Sequence, residues 1–293
     1  MTRLPIIKTP KCYVGGAFIR SESGRTFPLL DASGAFIGHV PQCTRKDLRN
    51  AVEAAAKAGA GWAKRTPYNR GQILYRLAEM LEARAGELEQ AIAIGQRGRR
   101  AAAAARREVA SSVERVVHFA GWADKYEQVL GNVNPVAGPF FNFTVTEPMG
   151  VVGVVAPPEA PLLALVSLVL PIIVSGNSVV ALASETQPYP AIVLGELLAT
   201  SDLPGGVVNL LTGLRAELVP TFATHAHLRA LGGVVSREER NTLETGAADS
   251  VKRVKLLDPD PKRNWASADC PQPSLYAIRD FVEFKTTWHP VGA

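Results

Sequence analysis

The sequence predicts an α/β fold built on a doubly wound parallel sheet, with an N-terminal helical part and a small separate β element. In the second half of the chain, short apolar runs alternate with helical segments. This rhythm is typical of parallel strands that are covered by helices on both faces. Helical periodicity dominates the first part, and a stretch rich in phenylalanine and threonine between the two parts favours strand.

The composition indicates a folded protein with a sizeable core. The chain has 293 residues, of which 47% are hydrophobic and 20% charged, and its formal net charge is +5. This apolar fraction excludes intrinsic disorder. The three cysteines, Cys12, Cys43 and Cys270, are too few and too scattered for a disulfide framework or a zinc site. We therefore predict reduced thiols, no metal site and a cytoplasmic location.

The first part of the chain combines a short β start with helices. Residues 13–41 alternate with turn residues and predict a β-meander. Thr44, with Asp47 three residues later, has the pattern of a helix N-cap. Apolar residues at helical spacing then predict three helices, over residues 44–61, 67–88 and about 99–126.

The second part has the alternating pattern of a Rossmann-like core. We predict strands at residues 151–155, 178–182, 207–211, 228–235 and 251–257, and helices at residues 162–174, 191–200 and 217–224. Several prolines interrupt the apolar run of residues 151–180, which argues against a membrane span. A turn-rich linker then leads to a last predicted strand at residues 280–289.

Four segments of the chain resemble one enzyme family. They are PFFNFTVTEPMGVVGVVAPPEAPLL at residues 139–163, GNSVVALASETQP at 176–188, LPGGVVNLLTG at 203–213 and FVEFKTTWHP at 281–290. In this order they resemble conserved segments of the aldehyde dehydrogenase superfamily. The resemblance implies a Rossmann-like fold, NAD(P) as the family's cofactor and aldehyde oxidation as the family's reaction.

Several catalytic positions of that family carry different residues here. In our alignment, Glu159 stands where the family has an asparagine that stabilises the oxyanion, and Leu257 stands in place of its general base. An ionised carboxylate only accepts hydrogen bonds and would repel a developing negative charge. Leu182 replaces the family's lysine beside the adenine ribose. The remaining weak candidates for cofactor binding are Ser184, Glu185, Gly213 and Gly233.

The resemblance also implies that a whole domain is missing inside the chain. Family members carry a catalytic domain with the nucleophilic cysteine between the segment ending at Leu257 and the last strand. Here Cys270 lies in that short span without the family's context, so we interpret it as a structural or exposed thiol. We therefore divide the chain into an N-terminal part at 1–130, a hairpin at 131–149, a Rossmann-like core at 150–257, a linker at 258–279 and a C-terminal strand at 280–293.

The hairpin and the C-terminal strand, which this chain shares with the family, suggest assembly with another subunit. In the family, the hairpin and the C-terminal strand form an oligomerisation arm, which adds to the catalytic-domain sheet of a neighbouring subunit. We expect an apolar interface on this arm, formed by Phe140, Phe141, Phe143, Phe281, Phe284 and Trp288. The chain resembles the degenerate second unit of duplicated aldehyde dehydrogenases. We therefore expect a non-catalytic subunit in a hetero-oligomer with a full-length aldehyde dehydrogenase.

Two other functions remain open at this point. One is a residual NAD(P)-dependent aldehyde oxidoreductase that uses Glu159 as a base, although residues 126–214 contain acidic residues and no lysine or arginine. We accordingly expect no cofactor, with NAD(P) as the alternative. The other is polyanion binding by an arginine cluster. The spacing of Arg99, Arg100, Arg106 and Arg107 predicts one shared helix face, with Arg97 just before it. No aromatic residues interleave with this cluster, so we predict neither nucleic acid nor membrane as a partner.

Overall fold

Three sheets organise the chain in the computed structural model, which describes residues 8–98, 100–267 and 274–292. The strands are β1 (Cys12–Val14), β2 (Ala17–Ile19), β3 (Thr26–Leu30), β4 (Phe36–Pro41), β5 (Asn132–Asn134), β6 (Phe140–Pro148), β7 (Val151–Val155), β8 (Ser178–Leu182), β9 (Val208–Leu211), β10 (Leu228–Val234), β11 (Arg253–Leu257) and β12 (Val282–Pro290). The helices are α1 (Arg45–Ala63), α2 (Pro67–Ala83), α3 (Ala85–Ala93), α4 (Ala101–Trp122), α5 (Tyr126–Leu130), α6 (Leu163–Val174), α7 (Tyr189–Leu198), α8 (Arg215–Thr224), α9 (Arg237–Ala248) and α10 (Leu275–Arg279).

The large sheet confirms the predicted fold class. Its strand order is β11-β10-β7-β8-β9-β1-β2, and the five strands from β11 to β9 are parallel. Every residue of β7, β8 and α6 is buried. Their continuous apolar runs therefore suit strands and helices that are covered on all sides. None of the described helices is long and apolar enough to cross a membrane.

The predicted β-meander at residues 13–41 is wrong. The structure divides this stretch between two sheets: β1 and β2 extend the edge of the large sheet through β9, whereas β3 and β4 form a separate hairpin. The turn signals were correct, but they do not reveal which strands pair over long distances in the sequence.

Two predicted helices are each split in the structure. The second ends at Ala83, and α3 begins at Ala85 after a non-helical Arg84. The third becomes α4 and the short α5. In the first case the buried stripe continues across the break, with Leu77 and Leu81 on one side and Leu88 on the other. The periodicity therefore predicts one helix where the backbone forms two.

The small sheet brings together two distant parts of the chain. Its order is β12-β6-β5, and β6 pairs with β12 in an antiparallel register from Phe140↔Pro290 to Pro148↔Val282. Thr144 and Thr286 are linked across this register by a hydroxyl hydrogen bond of 2.9 Å. We call this three-stranded sheet the arm.

The predicted linker is partly packed into the body of the protein. Trp265 is buried, and its carbonyl accepts a hydrogen bond of 2.6 Å from the Arg115 guanidinium of α4. Helix α10 follows at Leu275–Arg279 and contributes Ile278 to the core. The described residues between β11 and β12 contain no strand.

Candidate functional site

A crevice opens at the carboxyl ends of the parallel strands, where β8 lies on one side of β7 and β10 on the other. Ligands of doubly wound folds bind at such a switch point. The crevice holds a cavity of about 450 Å³. Its polar lining comes from Glu185, Thr186, Arg215, Ser236 and Glu239. Helices α8 and α9 both begin at this cavity.

Arg215 crosses the mouth of the crevice. Its guanidinium donates to the carbonyl of Ala156 after β7 at 2.7 Å and to the carbonyl of Val234 at the end of β10 at 2.9 Å. It also donates twice to Glu239, at 2.7 Å to Oε1 and at 2.8 Å to Oε2. The two side chains are only 16% and 22% exposed. Arg215 therefore bridges the ends of two neighbouring strands, and each of its three guanidinium nitrogens donates to a group of the protein.

Glu239 caps the N-terminus of α9. Its carboxylate accepts a hydrogen bond from the backbone N–H of Ser236 at 2.8 Å, and the Ser236 hydroxyl accepts from the N–H of Glu239. This reciprocal pair is a capping box. Burial opposes ionisation of Glu239, but the hydrogen bonds from Arg215 and Ser236 outweigh it and lower the pKa of the carboxyl. Glu239 is therefore an anion in the structure.

Glu185 caps the N-terminus of α8. Its carboxylate accepts a hydrogen bond of 2.6 Å from the backbone N–H of Arg215, the first residue of that helix. Ser184 is buried, and its hydroxyl accepts from the N–H of Gln187 at 3.1 Å in a local turn. Glu185 thus lines the crevice, whereas the Ser184 hydroxyl is engaged within its own loop.

The two glycine candidates have structural roles. Gly233 lies within β10 at φ +138°, and a Cβ there would come within 2.2 Å of the carbonyl oxygen of Val155. A Cβ at Gly213 would lie 3.0 Å from Leu218 and 3.3 Å from the backbone of Cys43. Close packing of the chain against itself accounts for both glycines.

These contacts do not fit the pyrophosphate of a dinucleotide. Helix N-termini bind phosphate through free N–H groups and the positive end of the helix dipole. Here a carboxylate already accepts from one N–H group at the start of each helix, Glu185 at α8 and Glu239 at α9. Leu182, at the position of the family's lysine, is a fully buried strand residue. A bound pyrophosphate would add negative charge beside both carboxylates.

Within residues 8–98, 100–267 and 274–292, the two catalytic positions named from the resemblance lie in different places. Leu257 ends β11 in register with Val234, and its side chain packs against the core. Glu159 lines a separate cavity of about 490 Å³ between α4, α6 and the segment that holds Trp265. Cys270 lies outside the described residues. The described cysteines, Cys12 and Cys43, are buried on the β1 side of the large sheet.

A third glutamate caps a helix beside the Glu159 cavity. Glu108 of α4 accepts hydrogen bonds from the backbone N–H groups of Leu162 and Leu163, at 2.9 and 3.2 Å, where α6 begins. Burial raises the pKa of Glu108 despite these hydrogen bonds. The N-termini of α6, α8 and α9 are therefore each capped by a glutamate from the protein itself.

The arm does not carry one apolar face, as the sequence predicted, but two. Side chains alternate along a strand, so Phe140, Phe284 and Trp288 lie on one face, and the Phe140 and Trp288 rings are 5.7 Å apart. Phe141 and Phe143 lie on the other face, with ring centroids 5.4 Å apart.

Phe281 is not part of the arm surface. It precedes β12, is only 7% exposed, and packs in the core within about 3.0 Å of the position a Cβ on Gly232 would take. The other aromatic residues of the predicted interface are half-exposed, from 41% for Phe140 to 58% for Trp288, apart from Phe143, which is less so.

The predicted arginine cluster does not form a single helix face. Helix α4 begins at Ala101, so Arg97 and Arg100 precede it, and Arg99 lies outside the described residues. Arg97 donates to the carbonyl of Ala32, and Arg106 lies 3.8 Å from Glu89. Within the described ranges, no group of three or more histidine, cysteine or acidic side chains is placed to hold a metal.

Sequence reasoning missed Arg215, Glu239 and the whole of α9. The signal for α9 was present, because Ser236-Arg237-Glu238-Glu239 has the serine and glutamate spacing of a capping box. The helix buries only Leu243 and Ala247, which leaves almost no apolar periodicity to detect. The ion pair joins residues 24 positions apart, and no local pattern predicts such a contact.

Comparisons with known proteins agree with this fold. The model of the aldehyde dehydrogenase family matches residues 18–257. A putative aldehyde dehydrogenase, DhaS, of Bacillus subtilis is 30% identical over 85% of this chain and 50% of that protein. A mitochondrial benzaldehyde dehydrogenase of Antirrhinum majus is 32% identical over 85% of this chain and 47% of that protein.

The match extends to solved structures. The NAD⁺ complex of an aldehyde dehydrogenase from Bacillus cereus superposes with a TM-score of 0.81 at 25% identity, covering 88% of this chain and 52% of the other. The chain spans about half the length of the curated relatives it matches. Because the family model covers most of the chain and the fold agrees, this protein belongs to the aldehyde dehydrogenase family.

Proposed function

We propose that this chain is a non-catalytic member of the family, which assembles through its arm with a full-length aldehyde dehydrogenase. The observation that carries the proposal is the arm itself. Strands β6 and β12 pair along their whole length. The segment that joins β11 to β12 supplies no strand among its described residues. The family's assembly element is thus retained without a catalytic sheet beside it.

The edge of the arm supports docking onto another strand. β12 is the outer strand of the arm, and within the described chain no strand pairs with its free side. Unpaired backbone N–H and C=O groups on such an edge form hydrogen bonds with a strand of another chain. Exposed aromatic rings on both faces, among them Phe141 and Trp288, would be buried by the partner.

The crevice supports the non-catalytic part of the proposal. Arg215 and Glu239 fill the place where phosphate would meet the helix N-termini. An anion that displaced Glu239 would have to break this ion pair and the capping box together. We therefore expect neither NAD⁺ nor NADP⁺ to bind.

The competing function is a residual NAD(P)-dependent aldehyde oxidoreductase. The relatives favour it, since they are named as aldehyde dehydrogenases and one solved relative holds NAD⁺. Calorimetric titration of the purified chain with NAD⁺ and NADP⁺ separates the two functions. A saturable isotherm, or NADH formation from benzaldehyde by the chain alone, would establish the competing function and refute ours.

Assembly is tested by co-expression with a full-length aldehyde dehydrogenase from the same genome, followed by size exclusion with light scattering. We expect a stable complex that contains both chains. Replacing Phe284 or Trp288 with aspartate should abolish it, because a charge would be buried at the interface. Tyr68→Asp is the matched control, since Tyr68 is 65% exposed on α2, outside the three strands of the arm.

Two outcomes would contradict the assembly. One is a chain that stays monomeric beside its partner at micromolar concentration. The other is a complex that survives Trp288→Asp and Phe284→Asp as well as it survives Tyr68→Asp.

A further inference from the structure

Two buried thiols lie in contact on the β1 side of the large sheet, away from the crevice and from the arm. Cys12 belongs to β1, and Cys43 immediately precedes the N-cap of α1. Their sulfur atoms are 3.4 Å apart although the residues are 31 positions apart in the sequence. Both side chains are at most 1% exposed.

Thr212 holds the two cysteines in place. Its carbonyl accepts a hydrogen bond of 2.9 Å from the backbone N–H of Cys43, and its hydroxyl donates to the carbonyl of Pro41 at 2.6 Å. The same hydroxyl oxygen lies 3.2 Å from the sulfur of Cys12. The thiols are thus fixed by three separate segments of the chain. To form a bond of about 2.05 Å, the sulfurs must approach from the 3.4 Å contact by about 1.3 Å.

We propose that Cys12 and Cys43 form a reversible intramolecular disulfide when the protein meets a peroxide. In the first step, the Cys12 thiolate attacks hydrogen peroxide, the O–O bond breaks, and hydroxide leaves as Cys12 becomes a sulfenic acid. In the second, the Cys43 thiolate attacks that sulfur, the S–S bond forms, and a second hydroxide leaves. The two thiol protons neutralise the two hydroxides, so two thiols and one peroxide give one disulfide and two waters.

The order of the two steps follows from the contact between the sulfurs. The hydrogen bond from Cys43 lowers the pKa of Cys12, although burial opposes it, and the same contact together with burial raises the pKa of Cys43. Cys12 therefore supplies the first thiolate.

Local opening at the sheet edge gives the oxidant access. Among the described strands, only β2 lies outside β1, and the register of β1 with β9 contains the single pair Tyr13↔Leu210. Short edge strands open without unfolding of the whole domain. The resulting bond would tie this edge to the start of α1.

The experiment uses the full chain with Cys270→Ser, which leaves Cys12 and Cys43 as its thiols. The folded protein is treated with hydrogen peroxide, quenched with catalase, denatured and labelled with N-ethylmaleimide. We expect no labelling, a mass lower by two hydrogen atoms, and a peptide that links the two cysteines. The urea midpoint of the oxidised protein should rise, and dithiothreitol should restore both thiols.

Controls tie the reaction to the fold. In the natural chain, peptide mapping should find the same linked peptide rather than links to Cys270. Oxidation in urea should lower the yield of the link, because the contact is made by the folded chain. Both cysteines still labelled after peroxide, oxygen added to either cysteine without a link, or links only between separate chains would overturn the proposal. So would an equal yield in urea.

Discussion

The guanidinium of Arg215 and the carboxylate of Glu239 form a two-point ion pair across the mouth of the crevice, with N···O distances of 2.7 and 2.8 Å. Arg215 also holds the carbonyl ends of β7 and β10. In this family member, one side chain thus joins two strands at the switch point of the sheet and neutralises the cap of α9.

Replacing Arg215 with alanine should lower the free energy of unfolding by about 2–4 kcal/mol, because Glu239 and two strand-end carbonyls lose their donor. Urea unfolding of Arg215→Ala, Glu239→Ala and the double variant should give a coupling energy of about 1–2 kcal/mol. Arg76→Ala is the control, since the Arg76–Glu79 pair is half-exposed and should contribute less than about 0.5 kcal/mol. Additive effects at Arg215 and Glu239 would contradict a direct pair.

The contribution of Glu239 should depend on pH. Its pKa is lowered in the folded protein, so the unfolded state takes up the proton more readily as pH falls. The stabilisation is complete above the ordinary glutamate value of about 4.5 and is lost as pH falls through the lower, folded-state value. The difference in unfolding free energy between the natural chain and Glu239→Gln should therefore be constant above about pH 4.5 and shrink as the pH falls below 4.5. A constant difference would show that the charge of Glu239 does not matter.

Gly233→Ala should be strongly destabilising. The new methyl group would clash with the Val155 carbonyl, and the residue has a positive φ, so we expect a loss of at least about 2 kcal/mol. Gly121→Ala on α4 is the matched control, because nothing lies within 4 Å of its Cβ position. There alanine should stabilise the helix by about 0.5 kcal/mol. Similar urea midpoints for the two variants would refute the packing role of Gly233.

The cap that Glu108 provides to α6 should be measurable in the same way. Glu108→Ala leaves the N–H groups of Leu162 and Leu163 without this acceptor and should cost about 1–2 kcal/mol. Glu108→Gln should recover part of the loss, because its amide oxygen can still accept a hydrogen bond. Glu114→Ala, at an exposed position of the same helix, should change stability by less than about 0.5 kcal/mol. Equal effects of alanine at 108 and 114 would exclude the cap.

The core of the fold was predictable because its elements are apolar and local. The predicted strand at residues 178–182 coincides with β8, and the predicted helix at residues 162–174 agrees with α6 to one residue. The small sheet was less predictable. Phe281 and Phe284 both belong to the predicted last strand, yet Phe281 lies in the core and Phe284 on the arm. Their burial differs because the chain leaves the body of the protein between them, and no local pattern marks that point.

The candidate site was less predictable because its polar contacts join distant residues. Glu185 was named from the resemblance, but its partner, the N–H of Arg215, lies 30 positions away. Trp265 lies in a segment rich in proline and aspartate, a composition that predicts an exposed linker. Its burial depends on the surface of α4, to which Arg115 fixes it, and this surface exists only in the folded protein.

The pairing of β6 with β12 has a consequence for biosynthesis. Thr144 and Thr286, which face each other in the arm, are separated by 142 positions. The ribosome therefore releases β6 well before it has made β12, the strand with which β6 pairs along its whole length. During this interval the Rossmann-like body can fold, while Phe141 and Phe143 of β6 have β5 beside them but not β12. Under the proposed assembly, a nascent chain would become competent to recruit its partner only once β12 has been made, after its own body can have formed.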